Sequence, residues 1–157
     1  MAKTKEKPRS IFDDYETSIE LEKDGAWVTT SRGYEFKIAR IGEMNPEYRN
    51  SMIERGKVIH AEIEALGENI GEKNSESDAK KLYELATKMD DVTIESFARF
   101  ILKGWRKLYD REGKEIPYSV DNAITLMQMH DLYNELYPLA RQYSTFLVSN
   151  LEATAKN

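Results

Sequence analysis

One apolar stripe constrains this chain more than any other feature. Leu82, Leu85, Ala86, Met89, Thr93, Phe97, Phe100, Ile101 and Trp105 recur at helical spacing. That period predicts an amphipathic helix over about residues 77–103, with one face committed to a core. Ser77 or Ser75 can cap its start. Glu84 and Lys88 form a favourable pair one turn apart, and Gly104 suits its C-terminal end, with Lys103 well placed for the helix dipole. A break near Asp90-Asp91 is compatible with the pattern. A helix of that length needs partners, so the remaining segments are read for faces that could cover it.

Asn45-Pro46 opens an earlier helix, with Asn as cap and Pro at the first helical position. Met52, Ile59, Ile63, Leu66 and Ile70 line one face of it. Gly56 weakens its continuity, and Gly67 to Ser75 reads as a polar loop. After the long helix, Asp110 to Gly113 forms a turn and Ile116-Pro117 is held extended. Ser119 caps a short helix carrying Val120, Ala123, Ile124 and Met127. Asp131 can cap a last helix bearing Leu132, Leu136, Leu139, Ala140, Tyr143, Leu147 and Leu151, with Pro138 expected to kink it.

The front of the chain differs. Residues 17–41 read as a small antiparallel meander. Thr17 to Glu22 alternates, Asp24-Gly25 is a hairpin signal, Ala26 to Thr30 is β-rich, Ser31 to Gly33 gives a second turn, and Tyr34 to Ile41 alternates again. Tyr34, Phe36 and Ile38 would share one face. Residues 1–16 segregate charge, basic then acidic, and read as a flexible arm. The expected fold is mainly α: a helical bundle (46–157) with a small N-terminal β-hairpin or meander (17–41), together forming one domain over 17–157.

Composition narrows the function classes. The 157 residues carry 23 Lys plus Arg against 28 Asp plus Glu, a net charge of -5. That disfavours a protein that coats nucleic acid by bulk charge. Cysteine is absent, which excludes disulfides, thiolate metal sites and cysteine nucleophiles. No apolar run approaches the ~20 residues that a membrane helix needs. The basic start lacks the apolar stretch of a secretory signal, so the cytoplasm is the expected place.

Catalytic chemistry finds no constellation. His60 and His130 are the only histidines, and His60 with Glu64 supplies too few ligands for zinc. Asp110 to Glu115 is a poor calcium loop, because Lys114 stands at a ligand position and Asp121 stands where a Glu is needed. No nucleophile elbow, dinucleotide fingerprint or Walker loop occurs. Neither a metal nor a cofactor is expected, and the chain reads as a non-enzyme. Phe97, Phe100, Trp105, Tyr109 and Tyr118 lie near Lys103, Arg106, Lys107 and Arg111. Stacking on nucleic acid would use such a set, but packing on the helix's core stripe accounts for most of the aromatics.

The stretch Phe100-Ile-Leu-Lys-Gly-Trp-Arg-Lys-Leu-Tyr-Asp-Arg-Glu-Gly-Lys-Glu-Ile-Pro-Tyr-Ser-Val-Asp-Asn-Ala, continuing to Leu126, resembles the signature region of tail assembly chaperones of long-tailed, siphovirus-type bacteriophages. Those proteins similarly carry a Gly-Trp step, an Asp-x-x-Gly turn, a Pro-Tyr/Phe-Ser entry into a capped helix and a late Phe, here Phe146. Glu20 to Val28 and Tyr34 to Arg40 also resemble their front. The matched positions Gly104, Trp105, Asp110, Gly113, Pro117 and Ser119 have structural jobs: a turn after the long helix, a seal at a helix corner, a tight turn and a helix entry. The resemblance implies a factor of the host cytoplasm that binds the tape measure protein. It would keep that protein soluble, help recruit tail tube subunits and be missing from the mature virion. Many such proteins are also made in a longer frameshifted form. Helical chaperones with exposed apolar faces often self-associate, and six Met residues suit an adaptable surface, so a homo-oligomer is compatible with this chain. Tyr109, Tyr133, Tyr137 and Phe146 are the candidate partner-binding aromatics, each with packing inside the protein as its other fate. The competing readings are a structural tail or neck component of the virion and a nucleic-acid-binding regulator.

Overall fold

The computed structural model describes residues 7–69 and 76–151. The order is α1 (Ile11–Tyr15), α2 (Ile19–Asp24), β1 (Ala26–Thr29), β2 (Glu35–Ile38), α3 (Pro46–Asn69), α4 (Glu76–Phe100), β3 (Leu102–Arg106), α5 (Val120–Met127), α6 (His130–Arg141) and a 3-10 turn (Tyr143–Phe146). The fold is mainly α with a small three-stranded antiparallel sheet in the order β1-β2-β3. The expected cap at Ser75, the closing Glu152–Asn157 and the first six residues lie outside the described residues.

Two boundaries correct the sequence reading. Thr17 to Glu22 is not the first strand of a meander. Ser18 Oγ accepts from the Leu21 amide at 3.2 Å and starts α2. Six residues of alternation cannot outweigh a cap followed by acidic residues in the first turn. Ile19 and Leu21 therefore part company, the first exposed and the second buried. Asp24-Gly25 consequently ends a helix and makes no hairpin. Gly25 takes φ 112°, and a Cβ there would stand 2.9 Å from Lys37 Cγ. The true hairpin is β1–β2, closed by the turn at Ser31 to Gly33, with Val28 opposite Phe36.

The second correction concerns Gly104 and Trp105. Helix α4 stops at Phe100, and Leu102–Arg106 becomes the third strand. Gly104 sits opposite Lys37 inside the sheet, where the register shifts, and does not end a helix. Trp105 lies across from Phe36 and packs beneath the sheet, not at a corner between helices. An apolar run such as Phe100-Ile-Leu102 continues a helical stripe and begins a strand equally well. Here β2 decides, because its free edge takes up the backbone groups of β3.

The main core joins the sheet's inner face to the helices. Phe36, Ile38, Tyr48, Ile94, Phe97, Ile101, Leu102, Trp105, Met127 and Leu136 are all buried in it. Helices α3 and α4 form a long antiparallel pair. They approach at Gly56, where a Cβ would stand in ordinary contact with Met89 Cε at 3.4 Å, and Ser51 and Ser96 share a hydrogen bond of 2.9 Å across the pair. Neither Gly56 nor Asp90-Asp91 breaks its helix. The last helix is shorter than its apolar period suggests. It starts at His130 with no side-chain cap, Asp131 lies in its first turn, and it ends at Arg141, three residues past Pro138. Tyr143 to Phe146 turns back as a 3-10 segment, and Phe146 fills a second small core with Leu21 and Ala26. Backbone bonds from Ser18 N to Phe146 O (2.8 Å) and Val148 N to Glu16 O (2.9 Å) tie the front of the chain to its end. Within the expected arm, Ile11–Tyr15 is one capped helical turn, and Tyr15 stacks on Tyr143 at 5.5 Å.

Candidate binding groove

The segment after β3 is built from its own turn chemistry. Asp110 accepts from the Glu112 and Lys114 amides, both at 2.9 Å, and Gly113 takes φ 81°. Tyr109 and Glu115 bridge across that turn, and Ile116 N donates to Leu108 O. Trp105 Nε1 donates to Ile116 O at 2.8 Å, and the Tyr118 hydroxyl donates to Leu102 O at 3.0 Å. The Trp105 and Tyr118 rings meet edge to face at 5.1 Å. Ser119 Oγ then accepts from Asn122 N at 3.0 Å and starts α5, while Asn122 Nδ2 donates to Pro117 O. The motif residues from Trp105 to Ser119 thus form one braced projection from the sheet edge.

That projection is one wall of a groove. The others are the β1–β2 turn and the α5–α6 corner. The floor is Phe36, Leu108, Ile116, Leu126 and Leu132, and the cavity measures about 320 Å³. Its mouth carries exposed apolar side chains: Tyr34, Tyr109 and Met129. Arg32, Asp131 and Glu135 stand at its edge. Glu135 accepts from both the amide (2.9 Å) and the hydroxyl (2.6 Å) of Ser31, and these bonds hold its carboxyl below the usual carboxylate range. The same pair clamps the β turn to α6, so the groove exists before anything enters it.

The candidate aromatics separate. Tyr109 stands exposed at the mouth. Tyr133 and Tyr137 are half-buried against Phe97, with Tyr133 edge to face at 5.2 Å, and they pack on each other at 5.5 Å. Phe146 is fully buried and presents no surface. Burial pushes the Tyr133 phenol well up, and burial with the nearby Tyr137 pushes Tyr48 up to about 12. Tyr34, Leu126, Met129 and Leu132 were missed as groove residues. The only signal for them was an apolar residue beside each turn or helix junction. Among the described residues, no group of three or more His, Cys, Asp or Glu side chains could hold a metal ion, and no helix is long and apolar enough to cross a membrane. An open apolar groove with a polar edge can hold an apolar side-chain row of another polypeptide.

Residues 44–157 match the family model described as YdaY prophage protein. The matched part runs from α3 onward and contributes most of the groove, whereas the β1–β2 wall lies before it. No curated protein and no solved structure matches the chain.

Proposed function

The chain belongs to the YdaY prophage protein family, and from that premise of phage origin we propose that it is a tail assembly chaperone for the tape measure protein. The observation that carries the reading is the preformed apolar groove between the 107–116 projection, the β1–β2 turn and α5–α6. The resemblance of residues 100–126 to such chaperones falls on the same projection.

A tape measure protein is long and rich in amphipathic helices. Such a helix offers apolar side chains at i, i+3, i+4 and i+7, which the groove takes between Tyr109, Met129 and Leu132. The acidic surface of the chaperone keeps the complex soluble. Binding is transient, in the host cytoplasm, and the chaperone helps recruit tail tube subunits before it leaves the finished particle. No bond is made or broken, so neither a catalytic group nor a cofactor has a part.

Co-expression with the tape measure protein of the same prophage tests this. The tape measure protein is expected to move into the soluble fraction and co-purify. The double variant Tyr109→Asp, Met129→Asp keeps its fold and loses both effects. No gain in solubility and no co-purification would overturn the proposal. So would stoichiometric presence of the chain in purified particles, which is the outcome for a structural tail or neck component.

A further inference from the structure

The two ends of the described chain meet in one apolar patch. Ile11 (66%), Phe12 (67%), Tyr15 (62%) and Ile19 (62%) are exposed large apolar residues within nine positions. Tyr143 and Val148, also exposed, come from the other end. Tyr15 stacks on the Tyr143 ring at 5.5 Å, and Val148 N donates to Glu16 O at 2.9 Å. Ser18 N donates to Phe146 O at 2.8 Å, and Thr17 bridges to Leu147. Phe146, between Tyr143 and Val148, is fully buried and anchors the C-terminal strip in the second small core. The patch is therefore formed before a partner arrives. Single exposed residues are ordinary, whereas six gathered on one surface mark an interaction site.

The charge around the patch has one sign. Residues 9–20 carry Asp13, Asp14, Glu16 and Glu20 against Arg9. Arg9 pairs with Asp14 at 2.8 Å, and the other three carboxylates are exposed. Residues 142–151 add no charged side chain. The adjoining residues 1–6 and 152–157 contain a single large apolar side chain, Met1. That is too little to cover six such residues, so the chain supplies no lid of its own for the patch.

We propose that this patch binds a basic amphipathic helix of a second protein. Apolar side chains of that helix at i, i+3 and i+4 pack on Phe12, Tyr15 and Ile19, and its Lys or Arg side chains meet Asp13, Glu16 and Glu20. Like-charge contact with the same carboxylates rejects acidic helices. The patch shares no residue with the groove. Four of its six apolar residues and all its carboxylates precede the stretch 44–157 that the family model matches. The site thus goes beyond the groove reading.

Fluorescence anisotropy of a labelled synthetic helix of Leu and Lys tests it, with a helix of Leu and Glu in the same pattern as its counterpart. The full chain carries Tyr109→Ser and Met129→Ser, so that the groove takes no helix and only the patch is read. The Leu/Lys helix is expected to bind more tightly than the Leu/Glu helix by about tenfold or more, and to weaken as salt rises. Phe12→Ser with Ile19→Ser should cut its affinity by about tenfold with unchanged circular dichroism. Asp13→Asn with Glu20→Gln should weaken binding less and flatten its salt dependence. All four side chains are exposed, so neither pair carries the fold. A Leu/Lys helix that fails to bind, equal binding of the two helices, or full affinity in the Phe12, Ile19 variant would overturn the proposal. So would self-association of the chain, or its adsorption to phosphatidylcholine vesicles, that the Phe12, Ile19 variant abolishes, since either gives the patch to another occupant. Co-purification of the tape measure protein tests the groove independently of these outcomes.

Discussion

Single side chains divide sharply between holding the fold and facing outward. Phe146 is enclosed with Leu21 and Ala26, and Tyr109 stands at an open mouth. Phe146→Ala is expected to cost about 3–5 kcal/mol in denaturant unfolding, whereas Tyr109→Ala stays within about 0.5 kcal/mol. In the sequence both stand as candidate partner-binding aromatics with packing as the other fate. What separated them was the 3-10 turn that folds Phe146 back under α2, a contact between distant segments that no local period records. Gly25 is a second case. Its φ of 112° and the closeness of Lys37 Cγ mean that Gly25→Ala should destabilise by about 1–3 kcal/mol. The buried phenols set a pH limit. Tyr48 is raised to about 12 by burial first and the Tyr137 charge second, and Tyr133 is raised by burial. A phenol raised on folding ionises first in the unfolded chain. Its stabilisation is complete below about pH 10, the unfolded value, and is lost as pH climbs toward 12. Unfolding midpoints measured across that range should fall, and part of the tyrosinate absorbance should appear only with unfolding.

Elements were legible where two signals agreed. Helix α5 had both an apolar face and Ser119, and it forms where expected. Ser119→Ala should cost about 1 kcal/mol, read as a lower melting temperature. The β1–β2 hairpin had β-rich flanks around a Ser-Arg-Gly turn. Where one apolar pattern served two structures, reading failed. Residues 17–22 alternate yet obey a cap, and residues 100–105 prolong a helical stripe yet join a sheet. The first outcome rests on the Ser18 cap, a local signal beneath the alternation, and the second on where β2 lies, which is tertiary information. The groove inherits that difficulty. Its braces (Asp110, Gly113, Pro117, Ser119) were visible as turn chemistry, but its floor residues come from four separate elements. Gly56 shows the opposite economy. It lies where α3 and α4 approach, and a methyl group would make ordinary contact with the flexible end of Met89 at 3.4 Å and with His60 Cδ2 at 3.6 Å. Gly56→Ala should therefore stabilise by about 0.5–1 kcal/mol through helix propensity, read as a higher denaturant midpoint at unchanged slope. Gly56→Leu should do the reverse.

At the scale of the whole molecule, the chain is a compact sheet-and-helix body from which the α3–α4 pair extends. One apolar groove opens on a chain of net charge -5. The groove is what the proposed holding of another chain rests on, and family membership places the chain among prophage proteins. The most direct measurement of this account replaces Tyr109 with a photo-crosslinking aromatic amino acid during co-expression with the tape measure protein of the same prophage. Irradiation should join the two chains at an amphipathic helix of the tape measure protein, while the same probe at exposed Tyr83, on the outer part of α4, gives no crosslink. Equal yields at the two positions, or none at Tyr109 while the tape measure protein stays soluble, would contradict it.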